Sequence, residues 1–291
     1  MREPDLSIII LNFNVKELLI NCLQSIFDNK GKKDNWQVIV VDNASEDGSV
    51  AAVREKGYKD IEILENKSNL GFSGGNNVGV KKAKALVILF LNPDTKIVGD
   101  AIQKTYQYLM GNPDIGAITC RVELPDGKLD YCCHRGFPTP WNSFCYFSGL
   151  SKLFPHFPLF SGYTASYLDI SKTHEIDCLT GAFLMVRKIA GEQINWWDSD
   201  YFWNGEDIEF CYSLKEKDWK IFFYPEVKII HYKGSSSGQV KSKAISHGTS
   251  AMRIFYMKHF YKKYPLIFRD IILAGIKILE HYRKAKLWIS Q

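Results

Sequence analysis

Five places along this chain carry side chains whose types and spacing suit one reaction site. The first is Asp94, which closes Val87-Ile88-Leu89-Phe90-Leu91-Asn92-Pro93-Asp94. A carboxylate just past a buried strand is a good oxygen ligand for Mg2+ or Mn2+ carrying a diphosphate, although Asn, Pro and Asp are also ordinary turn residues. The second is the acidic run in Asn204-Gly205-Glu206-Asp207-Ile208-Glu209. A helix N-terminus keeps such an acid ionised, ready to take a proton from a sugar hydroxyl within hydrogen-bond reach. The same acids also complement the helix macrodipole, with Lys215 and Lys217 at the other end. His231 follows Ile229-Ile230, where a neutral imidazole can ligate Mn2+ or simply end a strand. Asp42 ends Val40-Val41-Asp42 and can accept from a nucleobase N–H or a ribose hydroxyl, while Asn43 or Ser45 suits the N-cap of a following helix. The fifth place is Asn69-Leu70-Gly71-Phe72-Ser73-Gly74-Gly75-Asn76-Asn77, which lets backbone N–H groups approach an anion as the chain enters a helix. It is neither GxGxxG with a downstream acid nor a Walker loop.

These residues are useful together only if the elements between them place them together. Apolar runs at 6–11, 38–41, 61–64 and 86–91 predict strands, and helical spacing predicts helices over 15–28, 45–56 and 75–84. Strands alternating with helices argue for a parallel sheet with right-handed crossovers. Pro93 cannot continue a central ladder, so the fourth strand stops there. Asp94 then lies at the C-terminal sheet edge, where open α/β sheets bind ligands. Beyond it, 115–124, 181–187, 220–224 and 227–231 read as strands, 125–127 as a Pro-Asp-Gly turn, and 206–217 as a helix. Residues 131–167 hold eleven aromatics and four prolines without a clean period. That is too apolar for a linker and too broken for one helix, and it reads as an ordered lid or acceptor-binding insertion.

The 291 residues, 46% hydrophobic and 24% charged, have the composition of a soluble globular protein with length for one large or two small domains. No run of 18 apolar residues is present to span a membrane, and the N-terminus lacks the features of a secretory signal. Seven scattered cysteines without a CxxC pair suit a reducing compartment; the adjacent Cys132-Cys133 are either reactive or incidental thiols. A cytoplasmic protein is expected.

In combination, the motifs resemble those of the inverting glycosyltransferases of family 2, which have the GT-A fold. The resemblance runs in the family's order over about residues 6–235: Leu6-Ser7-Ile8-Ile9-Ile10-Leu11-Asn12-Phe13-Asn14, Val41-Asp42-Asn43-Ala44-Ser45, Asn69-Leu70-Gly71-Phe72, Leu91-Asn92-Pro93-Asp94, Thr180-Gly181-Ala182-Phe183-Leu184-Met185-Val186-Arg187, Glu206-Asp207 and His231. The Asn-Pro-Asp form looks most like the bacterial rhamnosyltransferase-like branch. The resemblance implies an α/β GT-A domain over 1–240 with a mostly parallel sheet flanked by helices. Its nucleotide-sugar half would be 1–95 and its acceptor half 96–240, with an insertion at 131–175, and a basic helical tail would follow over 241–291. It implies that Asp94, assisted by His231, holds Mg2+ or Mn2+ on the diphosphate of a dTDP-, UDP- or GDP-linked sugar. Asn12, Asn14, Asp42, Asn43, Asn69, Gly71, Gly74, Asn76 and Asn92 would lie with Asp94 on the donor side, Asp42 at the nucleobase. Asp207, or else Glu206, would be the base acting on a hydroxyl of a glycan or lipid-linked acceptor in cell-surface polysaccharide synthesis, with rhamnose one candidate sugar. Glu209 and Ser213 stand where the family has Asp and Arg, and Trp196-Trp197-Asp198-Ser199 replaces Gly-Phe-Asp-Glu.

The net charge of +5 is concentrated in 251–291, where nine Lys/Arg face two acids. Over 266–284, Arg269, Asp270, Lys277, Glu280, His281 and Lys284 fall within roughly a 120° arc of a helix at ~100° per residue. Such a helix suits the anionic inner face of a cell membrane, through 253–286, or docking on the body or on a second copy in a homo-oligomer. The rest of the chain is slightly acidic and has no nucleic-acid motif, so a nucleic-acid partner is not expected. Against the active transferase stands a catalytically silent subunit that keeps the fold for glycan binding or as a scaffold. Retention of Asp94, Asp207 and His231 favours activity.

Overall fold

The computed structural model describes residues 3–58, 61–233 and 241–289. Among the described residues nine strands form one sheet: β1 (Leu6–Asn12), β2 (Trp36–Asp42), β3 (Ile61–Glu65), β4 (Val87–Leu91), β5 (Thr95–Ile97), β6 (Ile115–Glu123), β7 (His174–Glu175), β8 (Phe183–Arg187) and β9 (Lys220–His231). Their order is β3-β2-β1-β4-β8-β6-β9-β5, with β7 beside β9. Helices α1 (Lys16–Asp28), α2 (Ser49–Glu55), α3 (Gly71–Val80) and α4 (Ala101–Gly111) connect the first strands. Short helices α5 (Pro140–Ser148), α6 (Leu150–Leu153) and α7 (Pro158–Ser161) make up much of the aromatic insertion. Helices α8 (Lys188–Gln193) and α9 (Glu206–Lys215) follow, and α10 (Lys241–His259) and α11 (Leu266–Ile289) form the tail.

The β3-β2-β1-β4 block is parallel, and every residue of β4 is buried, as its unbroken apolar run requires. The chain lays β2 and β3 on one side of β1 and then β4 on the other. This reversal opens a crevice beyond the C-terminal ends of β1 and β4. The remaining half corrects the expectation of a mostly parallel sheet. β8 is antiparallel to both β4 and β6, β6 and β9 are parallel, and β5 and β7 are antiparallel to β9. A mixed sheet results.

Three local readings also change. The strands expected at 220–224 and 227–231 are one strand, β9, whose pairing with β6 jumps from Cys120↔Tyr224 to Arg121↔Lys228. Pro225 sits in that irregularity, where it owes no ladder hydrogen bond. Helix α2 begins at Ser49 behind left-handed Gly48, so neither Asn43 nor Ser45 caps it. Helix α3 begins at Gly71, four residues earlier than the apolar spacing predicts. It can do so because Gly75 and Gly79 let it lie directly on β1: a Cβ at either position would collide with Leu11 or Ile9.

The tail packs through Phe255 and Tyr256 of α10 and the following Phe260 against Tyr212 of α9 and Ile272, Leu273 and Ile276 of α11. The rest of α11 exposes Leu266, Ile267, Phe268, Ile271, Ile278, Tyr282 and Trp288. Among the described residues, no helix is long and apolar enough to cross a membrane.

Candidate active site

The ends of β1 and β2 are tied by a small polar network. Asn12 Nδ2 donates to Asp42 Oδ1 at 2.7 Å and to Ser45 Oγ at 3.0 Å, and Ser45 N donates to Asp42 Oδ2 at 2.8 Å. Asn14 joins through its own N–H to Ser45 Oγ and by accepting from Glu46 N at 2.8 Å. Both Asn14 (φ 53°) and Ala44 (φ 62°) are in the left-handed region, a conformation costly for alanine that the surrounding bonds hold in place. Each Asp42 oxygen keeps a second lone pair. Among the described residues Asn12 Oδ1 is buried with no partner, an acceptor that a bound donor group could satisfy.

The Asn- and Gly-rich stretch is organised differently from a free anion cradle. Asn69 Oδ1 accepts from Gly71 N at 2.8 Å and from Asn43 Nδ2 at 3.2 Å, while Asn43 Oδ1 accepts from Asn66 Nδ2. Phe72 N donates to Phe202 O at 2.8 Å, so two N–H groups of the first turn of α3 are already used. Asn76 is buried and donates back to Phe72 O, and Gly74 lies against Leu70. Of residues 69–77, Phe72 alone lines the central cavity. Within 69–77, only at Gly71 (φ 73°) is glycine demanded by backbone conformation as well as by space, because a Cβ would meet Phe202 O at 2.5 Å.

That cavity, of about 400 Å³, brings Asn92 together with Arg135, Glu206, Asp207, Lys233 and Arg283. Behind Asn92, Asp94 and His231 are both buried, each 6% exposed, and the pairing of β5 with β9 places them side by side. A continuous ladder runs through them. Lys233 Nζ reaches Asp130 Oδ1 at 2.9 Å, Asp130 Oδ2 lies 3.1 Å from His231 Nδ1, and His231 Nε2 lies 3.2 Å from Asp94 Oδ1. Burial pushes the imidazole down, but the hydrogen bonds to Asp130 and Asp94 together outweigh it and raise its pKa to about 9. Burial opposes ionisation of Asp130, and His231 and Lys233 nevertheless hold it well below the usual carboxylate range.

The pair Asp94–His231 fits a divalent cation in its chemistry. One carboxylate and one imidazole nitrogen meet at the sheet edge, and the other imidazole nitrogen is held by Asp130, the outer carboxylate that typically orients a metal-bound histidine. Binding there would displace the proton from His231. Among the described residues no group of three or more His, Cys, Asp or Glu is arranged to hold a metal. Two protein ligands leave the rest of the coordination to a bound diphosphate.

The acidic pair opening α9 splits into two environments. Asn204 (φ 70°) and Gly205 (φ 85°) turn the chain into the helix. Asp207 Oδ2 is 2.5 Å from an Arg135 nitrogen, and Oδ1 accepts from Ile208 N. Glu206 is buried, its Oε2 has no partner, and burial first, then the Asp207 charge, raise its pKa to about 8. The two acids thus differ: Glu206 is biased toward its protonated form, while Asp207 is ion-paired with Arg135. Glu209 turns away, taking Tyr201 Oη at 2.8 Å and His259 Nε2 at 2.9 Å. Neither Glu209 nor Ser213 lines the cavity.

Sequence spacing missed Asp130, Arg135 and Lys233. Asp130 follows the Pro-Asp-Gly turn, and only the β6–β9 pairing brings it to His231. Arg135 lies in the irregular insertion, 72 residues from Asp207. Cys132 also lines the cavity, 3.1 Å from Lys233 Nζ, whereas Cys133 is buried and its thiol is pushed up to about 12 by burial.

Comparison with known proteins bears on the family and the fold. The profile of Glycosyl transferase family 2 matches residues 7–170. The chain is 24% identical over 213 residues to N-acetylglucosaminyl-diphospho-decaprenol L-rhamnosyltransferase of Mycobacterium tuberculosis, covering 69% of this chain and 68% of that protein. It is 26% identical over 234 residues to the low-salt glycan biosynthesis hexosyltransferase Agl10 of Haloferax volcanii, covering 78% and 67%. Among solved structures it resembles the mannosyltransferase PcManGT of Pyrobaculum calidifontis, determined with GDP-Man and Mn2+ (TM-score 0.63, 15% identity, 100% and 77% covered). It also resembles GalNAc-T7 with UDP, GalNAc and Mn2+ (TM-score 0.60, 13% identity, 89% and 55% covered). The GT-A fold expectation stands.

Proposed function

We propose, from the premise that this chain belongs to glycosyl transferase family 2, that it is a metal-dependent inverting transferase moving a hexose from a nucleoside diphosphate to a hydroxyl of a lipid-linked or glycan acceptor. The observation that carries this reading is the shared cavity: Asn92, two residues from the Asp94–His231 pair, and Asp207 open onto the same space. Rhamnose is the favoured sugar, because the Mycobacterium tuberculosis relative is named a rhamnosyltransferase acting on a diphospho-decaprenol acceptor.

In this reading Asp94 and His231 hold the cation, and Asp130 orients His231. The chemistry such a cation supplies is neutralisation of the departing diphosphate. Asp207 accepts the proton of the acceptor hydroxyl, whose oxygen then bonds to the anomeric carbon as the bond to the diphosphate oxygen breaks on the opposite face. One displacement inverts that carbon. The neutral Glu206 beside Asp207 can donate a hydrogen bond without adding charge. Asn12 Oδ1 and the free lone pairs of Asp42 would read the nucleotide.

Calorimetric titration with UDP, dTDP and GDP, each with and without Mn2+, tests the donor side. Metal-dependent binding of one of them is expected, and the absence of it for all three would sink the enzyme reading. We further propose that α11 rests on an anionic membrane through its exposed apolar residues and flanking cations. Co-sedimentation should then detect the protein on phosphatidylglycerol vesicles at low salt, and equal binding to uncharged vesicles would count against an electrostatic contact.

A further inference from the structure

Three cations line the cavity, and two are already compensated. Arg135 is paired with Asp207, and Lys233 with Asp130. The third, Arg283, comes from the tail helix α11, and among the described residues it has no acidic partner. The nearest acid on its own helix, Glu280, is taken by Lys284 at 2.6 Å and by Ser246. Instead, the Arg283 guanidinium stands 5.7 Å over the ring of Phe147 from α5. A guanidinium against an aromatic face keeps its in-plane N–H donors free. Phe147 and its neighbour Tyr146 are 47% and 41% exposed while also lining the cavity. Elsewhere on α11, Ile278 and Tyr282 are also exposed.

We infer that Arg283, with Tyr146 and Phe147, forms a subsite for the acceptor's own phosphate or diphosphate and the first part of an apolar chain attached to it, an assignment that rests on the glycosyltransferase reading above. A neutral glycan would leave this cation unsatisfied and these rings wet. A phosphate accepts from the planar fork of an arginine in the geometry it favours, and an apolar chain covers the rings. The hydroxyl to be glycosylated then lies deeper in the same cavity, toward Asp207, and the lipid end leads out over α11. On this assignment the tail helix completes the acceptor site and sets its specificity.

The test uses the full chain in EDTA, so that no cation carries a diphosphate to the donor side. Farnesyl diphosphate, farnesol and inorganic diphosphate are titrated into the wild type, R283Q and R283K, with thermal melts confirming that each variant is folded. The wild type should bind farnesyl diphosphate at least tenfold tighter than either half-molecule. R283Q should lose roughly 10- to 100-fold of that affinity, the worth of a charged hydrogen bond, and R283K should recover part of it. Equal affinity of R283Q and wild type, or equal affinity for farnesol and farnesyl diphosphate, would overturn the assignment. A parallel titration with UDP and Mn2+ should be unchanged in R283Q. Loss of that binding in the wild type itself would strike the donor reading, whereas an unaltered farnesyl diphosphate affinity in R283Q would strike the acceptor subsite alone.

Discussion

At the strand ends, Asn12, Asp42, Asp94, Asp130 and His231 are tied to one another and to Ser45 and Lys233, with Asn12 Oδ1 left open among the described residues. On the side of the cavity built by α9, α11 and the insertion, among the described residues Glu206 Oε2 has no partner and Arg283 no counter-ion, and Tyr146 and Phe147 are half bare. The first region sits at the C-terminal edge of buried strands, whose register allows little adjustment. The second rests on short helices and a tail that pack through a few aromatic contacts. A site for a cation and a diphosphate gains from being organised beforehand. A site for a larger acceptor can leave groups unsatisfied until the acceptor arrives, at a cost in stability.

The largest expected effect separates the two regions by function. Asp207→Asn should lower turnover by roughly 10²- to 10⁴-fold while leaving nucleotide affinity intact, whereas Asp94→Ala should weaken the metal-dependent nucleotide binding itself. Near-normal turnover of Asp207→Asn would remove Asp207 as the base. A smaller effect tests how far the strand-end order serves the cation. Asp130→Asn should reduce Mn2+ affinity about 10- to 100-fold, read by paramagnetic titration in the presence of UDP. Unchanged affinity would make Asp130 merely a partner of Lys233.

The smallest effect concerns stability on the acceptor side. The folded-state pKa of Glu206, about 8, lies above its ordinary 4.5. Between those values the folded chain keeps a proton that the unfolded chain releases, so this group's contribution falls as pH rises through the window. Glu206→Gln should therefore melt higher than the wild type at pH 8, by roughly 2–8 °C, and nearly together with it at pH 4.5. A constant difference across that range would show that burial of Glu206 is not what limits stability there.

Much of the placement of the acidic residues was legible in the sequence. The five-residue apolar run followed by Pro93 marked a buried strand that must stop, and the structure ends β4 at Leu91. The acids at 206 and 207 announced a helix start, and α9 begins there. The 69–77 stretch was less transparent. Its glycines read as room for an anion, yet Gly75 and Gly79 serve the packing of α3 on β1. Local sequence does not distinguish a glycine that admits a ligand from one that admits a neighbouring side chain. The departure at Glu209 similarly reads as a change in the site, but its carboxylate is committed to His259 and Tyr201.

By itself the sequence determined the strand–helix alternation of the first half, the carboxylates at the ends of β2 and β4, and the acidic start of α9, because periodicity, proline and helix-end electrostatics act over a few residues. Only the tertiary structure decided that Asp130 would grip His231 across 101 residues, that Arg135 would meet Asp207, and that Arg283 of the tail would reach the cavity beside Phe147. Those contacts depend on a mixed sheet and on packing between segments with no local pattern in common. Long-range burial and charge pairing, rather than propensity, bring them together.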